Sequence, residues 1–169
     1  MNVIKTIDEL NAIKAAAAEV VNIRVEGKDS GVKDVLVCGG TGCTSSGSMN
    51  IIKKLEEEIE RNGLKDKVNI IKTGCFGLCA LGPIMIVYPE GTFYSKMEVD
   101  HIPEIVSSHL KDGIPVKKYL YAETVEGDTI KSLNDTAFYA KQHRVALRNC
   151  GLISPEHIEE YIARDGYQA

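Results

Sequence analysis

Hydrophobic and polar positions recur along this chain with two periods, and the switches between them mark its elements. Thr6-Ile7-Asp8-Glu9 fits a capping box, and the alanine run to Ala18 has high helix propensity, so a first helix is predicted. Val35-Leu36-Val37 is a short apolar run ending at Cys38 and predicts a buried strand. Ile51, Ile52, Leu55 and Ile59 then follow helical spacing, which leaves Glu56, Glu57, Glu58 and Glu60 facing water. Ser45, Ser46 or Ser48 is expected to cap that helix, and Asn62-Gly63 to stop it. Val68-Asn69-Ile70-Ile71 predicts a second strand. Ile84 to Tyr88 is the strongest strand signal, and the turn Pro89-Glu90-Gly91 returns it through Thr92-Phe93-Tyr94 as a hairpin. Asp100 is expected to cap a last helix carrying Ile102, Ile105, Val106 and Leu110, closed by Gly113.

The order helix, strand, helix, strand, strand, strand, helix predicts an α/β fold. A strand-helix-strand unit followed by a hairpin and a helix gives a mixed sheet flanked by helices, as in thioredoxin-like domains. This first domain is assigned to residues 1–118, and residues 119–169 form a C-terminal extension. In the extension, Val125 to Asp135 is polar and loop-like, and Phe138 to Leu147 suits a strand or a short helix. Ser154-Pro155 opens a helix with Ile158, Tyr161 and Ile162 on one face. About fifty residues are too few for a core of their own. The extension is therefore expected to be disordered or docked on a neighbouring chain.

Composition narrows the function classes. The chain has 169 residues with a formal net charge of −4, which gives no electrostatic footprint for nucleic acid or an anionic membrane surface. No apolar run approaches the roughly 20 residues of a membrane span. The start of the chain has no apolar signal-peptide core, so a soluble, cytoplasmic protein is expected. In that compartment thiols stay reduced, and five cysteines, an odd count, argue against a disulfide framework.

Four of the cysteines form two tight pairs. Cys38 and Cys43 are separated by four residues, Cys75 and Cys79 by three. Each pair follows a predicted strand, and two strands joined by one helix are expected to run parallel, so both loops emerge at one end of the sheet. Four convergent thiolates suit Zn²⁺ or an iron–sulfur cluster. The Cys75 pair fits either. The four-residue gap of the first pair, in a loop with Gly39, Gly40 and Gly42, is similar to that of plant-type ferredoxins and favours [2Fe–2S]. A zinc-stabilised interaction module without redox activity is the alternative. Cys150 is read as structural. His101, His109, His143 and His157 are read as surface or helix residues, Arg144 and Arg148 as a solvated face, and Pro83 as standing where thioredoxin-like folds often have a cis-proline.

These residues carry a family resemblance. Val37-Cys38-x4-Cys43, Gly74-Cys75-Phe76-Gly77-Leu78-Cys79-x3-Pro83 and the Val87-Tyr88-Pro89-Glu90-Gly91 hairpin resemble the thioredoxin-like [2Fe–2S] ferredoxins over about residues 33–118. The resemblance implies that Cys38, Cys43, Cys75 and Cys79 bind a [2Fe–2S] cluster for one-electron transfer. In the extension, Phe138-Tyr139-x-Lys141-Gln142-x-Arg144, Leu147-Arg148-Asn149-Cys150-Gly151, Ser154-Pro155-Glu156 and Tyr161-Ile162-Ala163-Arg164-x-Gly166-Tyr167 resemble the start of a flavoprotein subunit. That subunit belongs to NADH dehydrogenases and NAD(P)-linked hydrogenases or formate dehydrogenases. This second resemblance implies partners: the flavin domain of the same subunit or complex, and other hydrogenase or dehydrogenase subunits. A homo-oligomer is also compatible. FMN, NAD(P)H and a [4Fe–4S] cluster are expected only in a full-length subunit, because residues 119–169 lead toward such a domain and stop before its flavin and nucleotide site.

Overall fold

The computed structural model describes residues 3–126, 129, 130 and 132–168. A helix, α1 (Ile7–Val25), opens the fold with the expected capping box: the Thr6 side chain accepts from the Glu9 amide, and Glu9 answers to the Thr6 amide. Strand β1 (Lys33–Cys38) follows, then a short helix α2 (Thr41–Ser45), helix α3 (Ser48–Arg61) and strand β2 (Val68–Thr73). The hairpin strands are β3 (Met85–Tyr88) and β4 (Thr92–Tyr94). They form one mixed sheet in the order β2-β1-β3-β4, with β1 parallel to β2 and antiparallel to β3. This is the thioredoxin-like arrangement expected from the element order.

Strand β1 is buried on both faces, as a central strand between two helical layers must be. Its alternation divides the core. Val35 and Val37 point with Met85, Val87 and Tyr94 toward Ile51, Leu55 and Ile59 of α3 and toward Ile102 and Ile105. Leu36 and Cys38 point the other way, with Ile86 and Phe93, toward Ile23 of α1 and toward Leu133 and Tyr139 of the extension. The expected order of elements is therefore present, and the two parallel strands end side by side, with Cys38 opposite Thr73.

Several local expectations are corrected. No serine caps α3: Gly47, at φ 92°, stands in the cap position, and Ser48 is the first residue of the helix. Glu58 does not face water. It is buried, because Lys54 at 3.0 Å and Arg61 at 2.7 Å neutralise it from the same helix face. Asp100 caps nothing; Glu98 forms the capping box, with His101, at the start of a turn that leads into α4 (Ile102–Ile105) and a π-type continuation, Val106–Lys111. His109 is fully buried, with Nδ1 2.9 Å from the Tyr94 hydroxyl. Gly82–Pro83 and Tyr88–Pro89 are cis.

The largest correction concerns the extension. Residues Val125–Glu126 (β5) and Thr129–Ile130 (β6) pair as a two-stranded ribbon where a loop was expected, while Gly127, Asp128 and Lys131 lie outside the described residues. A short helix α5 (Ala137–Ala140) follows, and the last helix, α6 (Ile158–Ala163), starts beyond Ser154-Pro155. On α6 only Ile162 of the expected apolar face is buried; Ile158 and Tyr161 are exposed. The extension is not detached from the first domain. It packs on its own sheet, because the face carrying Leu36, Ile86 and Phe93 is only part-covered by α1 and needs Leu133 and Tyr139 to close it. Backbone bridges from Leu120 and Ser132 to β4 also cover that sheet edge.

Candidate metal centre at the end of the sheet

The parallel pair β1/β2 does the positioning. Cys38 ends β1, its amide bonded to the Ile84 carbonyl at 3.0 Å, and the Gly39 amide reaches the Thr73 carbonyl across the sheet at 2.8 Å. The chain then turns into α2, which carries Cys43 back against the sheet. From β2, Gly74 alone leads to Cys75, and Cys79 begins a single turn of 3₁₀ helix, Cys79–Leu81. All four predicted thiols come to this one end. Cys75 and Cys79 stand with sulfurs 3.6 Å apart, and Cys43 is hydrogen-bonded to Cys38 and feels the charge of Cys79.

The two pairs differ in environment. Cys38 and Cys43 are buried, and Cys75 and Cys79 are exposed. Burial pushes the Cys43 thiol up to about 12, with the bond and charge of Cys38 adding to it. Cys79 is raised by its hydrogen bond with Cys75 and by that neighbour's charge. At Cys43 the backbone N–H of Ile84 opposes the rise by favouring thiolate, and Gly77 donates to Cys75 Sγ at 3.3 Å.

The backbone around the thiols has been cleared of side chains. A Cβ added at Gly82 would stand 2.7 Å from Cys43 Sγ, and one added at Gly40 would stand 2.9 Å from Cys75 Cβ. Both are closer than real Cβ contacts allow, so glycine is required by the approach of the backbone to the sulfurs. By the chemistry of its donors the site fits a [2Fe–2S] cluster: it offers soft sulfur donors in two pairs, with backbone amides bonded to Cys75 and Cys43.

The extension contributes residues that spacing did not reveal. The Tyr139 hydroxyl donates to the Phe76 carbonyl, inside the second cysteine loop. Burial raises Tyr139, Arg144 opposes the rise, and charge at Cys75, Cys150 and Cys38 adds to it. Arg144 is not on a solvated face. It is half-buried, donates to the Cys150 carbonyl at 3.0 Å and lies over the Tyr139 ring. Cys150 itself sits against the loop, its Sγ 3.7 Å from where a Cβ on Gly74 would be. No sequence signal links Tyr139 to Phe76, which are 63 positions apart. Among the described residues no helix is long and apolar enough to cross a membrane.

Comparison with known proteins gives a consistent picture. Residues 9–110 match the family model described as thioredoxin-like [2Fe-2S] ferredoxin. A curated 2Fe-2S ferredoxin from Clostridium pasteurianum is 42% identical over 76 residues, covering 45% of this chain and 74% of the relative. Another, from Aquifex aeolicus (strain VF5), is 32% identical over 82 residues, covering 48% and 74%. The crystal structure of the wild-type thioredoxin-like [2Fe-2S] ferredoxin from Aquifex aeolicus superposes with a TM-score of 0.51 at 31% identity, over 55% of this chain and 99% of that one.

Proposed function

The chain belongs to the thioredoxin-like [2Fe-2S] ferredoxin family, and on that premise we propose that Cys38, Cys43, Cys75 and Cys79 are the ligands of its [2Fe–2S] cluster. The observation that carries this is the in-register parallel pairing of β1 with β2, which brings both cysteine pairs to one end of the sheet. When bound, the cluster supplies reversible one-electron transfer. The protein's residues do the rest. The amides of Gly77 and Ile84 stabilise thiolate charge, Gly40 and Gly82 let the backbone come close, and the apolar neighbours Phe76 and Ile84 exclude water from the buried pair. Electrons would pass at the exposed pair, Cys75 and Cys79, where a partner can approach.

We further infer that the chain serves within an NAD(P)H-linked oxidoreductase of hydrogenase or NADH dehydrogenase type, with a flavin domain as its immediate partner and other hydrogenase or dehydrogenase subunits beyond it. The motif residues between Phe138 and Tyr167 support this reading. The test is anaerobic purification followed by a visible spectrum, iron and sulfide assays and electron paramagnetic resonance after dithionite. We expect two irons and two sulfides per chain. A colourless protein with one zinc and no sulfide would overturn the ligation. Reduction by NAD(P)H only after a flavoprotein partner is added is expected for the complex, and no such dependence on a partner would remove that part.

A further inference from the structure

We propose that Arg144 is a fixed countercharge for the cluster, a residue of the extension that raises its reduction potential from the exposed side. This rests on the four-cysteine ligation above and adds a residue outside the family-matched span of 9–110. A cavity of about 230 Å³ lies between the second cysteine loop and the extension, lined by Cys75, Phe76, Gly77, Arg144, Leu147 and Cys150. The guanidinium is held beside it by two contacts. Its Nη1 donates to the Cys150 carbonyl at 3.0 Å, and its Cζ lies 4.8 Å from the centre of the Tyr139 ring. Tyr139 is in turn bonded to the Phe76 carbonyl, the residue after Cys75. The positive group is thus tied to the loop that carries the exposed pair.

A lysine near this end of the sheet is already neutralised. Lys72, whose stem runs beside Gly39, pairs with Glu156 at 2.5 Å. Among the described residues no carboxylate pairs with Arg144. Reduction adds an electron to a centre that is already anionic through its thiolates. A nearby guanidinium therefore favours the reduced form over the oxidised form. The part-buried, mostly apolar walls weaken solvent screening between the two.

The test is a potentiometric titration of the loaded chain followed by electron paramagnetic resonance, in wild type, Arg144→Gln and Arg144→Lys, with iron and sulfide measured in each. At the potential where wild type is half reduced, Arg144→Gln is expected to lower the ratio of reduced to oxidised cluster about tenfold, or about 59 mV for one electron. Arg144→Lys keeps the charge and is expected to stay within about threefold of wild type. An unmoved potential in Arg144→Gln with a full cluster would overturn the countercharge and leave the ligation standing. So would Arg144→Lys falling as far as Arg144→Gln, which would mark a structural role. A wild-type chain without iron and sulfide would instead overturn the ligation, and this proposal with it.

Discussion

The sheet domain and the extension are held together in different ways. The sheet domain is built on apolar contact: Leu36, Ile86, Phe93, Leu55 and Ile102 are all fully buried. The extension adds a few apolar residues and is otherwise fastened by polar pins that reach back to the first half of the chain. The main one is buried. Arg24 of α1 grips Glu160 of α6 through two bonds, at 2.7 and 2.8 Å, and its Nε lies 2.8 Å from Asp34 of β1. The same guanidinium donates to the Leu152 carbonyl, and Glu160 also accepts from the Ser154 amide. The outer pins, Lys72 to Glu156 and Lys14 to Asp165, are part-exposed and contribute little individually. An apolar core fails as a unit, whereas a layer held by a few polar pins can detach from a core that stands.

The sharpest way to break this contrast is in the core. Phe93→Ala removes a fully buried ring in edge contact with Tyr121 and is expected to cost about 4 kcal/mol. Sheet and extension should lose protection together in denaturant unfolding; unfolding confined to one of them would contradict it. Next comes the pin. Arg24→Met leaves Glu160 and Asp34 buried without their cation, at a cost of about 3 kcal/mol. Amide exchange should rise over residues 150–163 while the cluster spectrum persists. Equal loosening of β1 and β3 would mean that the pin belongs to the core.

The smallest effect is set by pH and lies in the sheet domain. Burial lowers His109 to about 4 from its ordinary 6.5. The unfolded chain therefore takes up the proton first, and stability is complete above about pH 6.5 and lost as the pH falls toward 4. Between pH 7 and 5 the loss should be about 2 kcal/mol. His109→Gln should flatten that slope, and an unchanged slope in denaturant titrations at the two pH values would refute it.

The same contrast governs what could be read in advance. The sheet domain was legible because its signals are local: the Thr6/Glu9 box, the β1 run, and a hairpin turn between two apolar stretches. The cysteine pairs were legible because parallel strands joined by a helical crossover put their ends together. The extension was not, since its partners are remote in sequence. Arg24 meets Glu160 across 136 positions, and neither residue departs from an ordinary helix pattern. His109 looked like a helix residue because only the distant Tyr94 hydroxyl makes its burial tolerable. The β5/β6 ribbon carries too few apolar residues to announce a strand.

The glycines at 40 and 82 bear on anyone wishing to transplant this site into another scaffold. Copying four cysteines at matching coordinates would not suffice. A host with alanine opposite Cys43 would set a methyl carbon 2.7 Å from the sulfur, so the graft must import both glycines with the cysteines. The portable unit is six residues, at the end of β1 and in the segments that follow the two parallel strands, and a library that varied only the sulfur positions would never contain it.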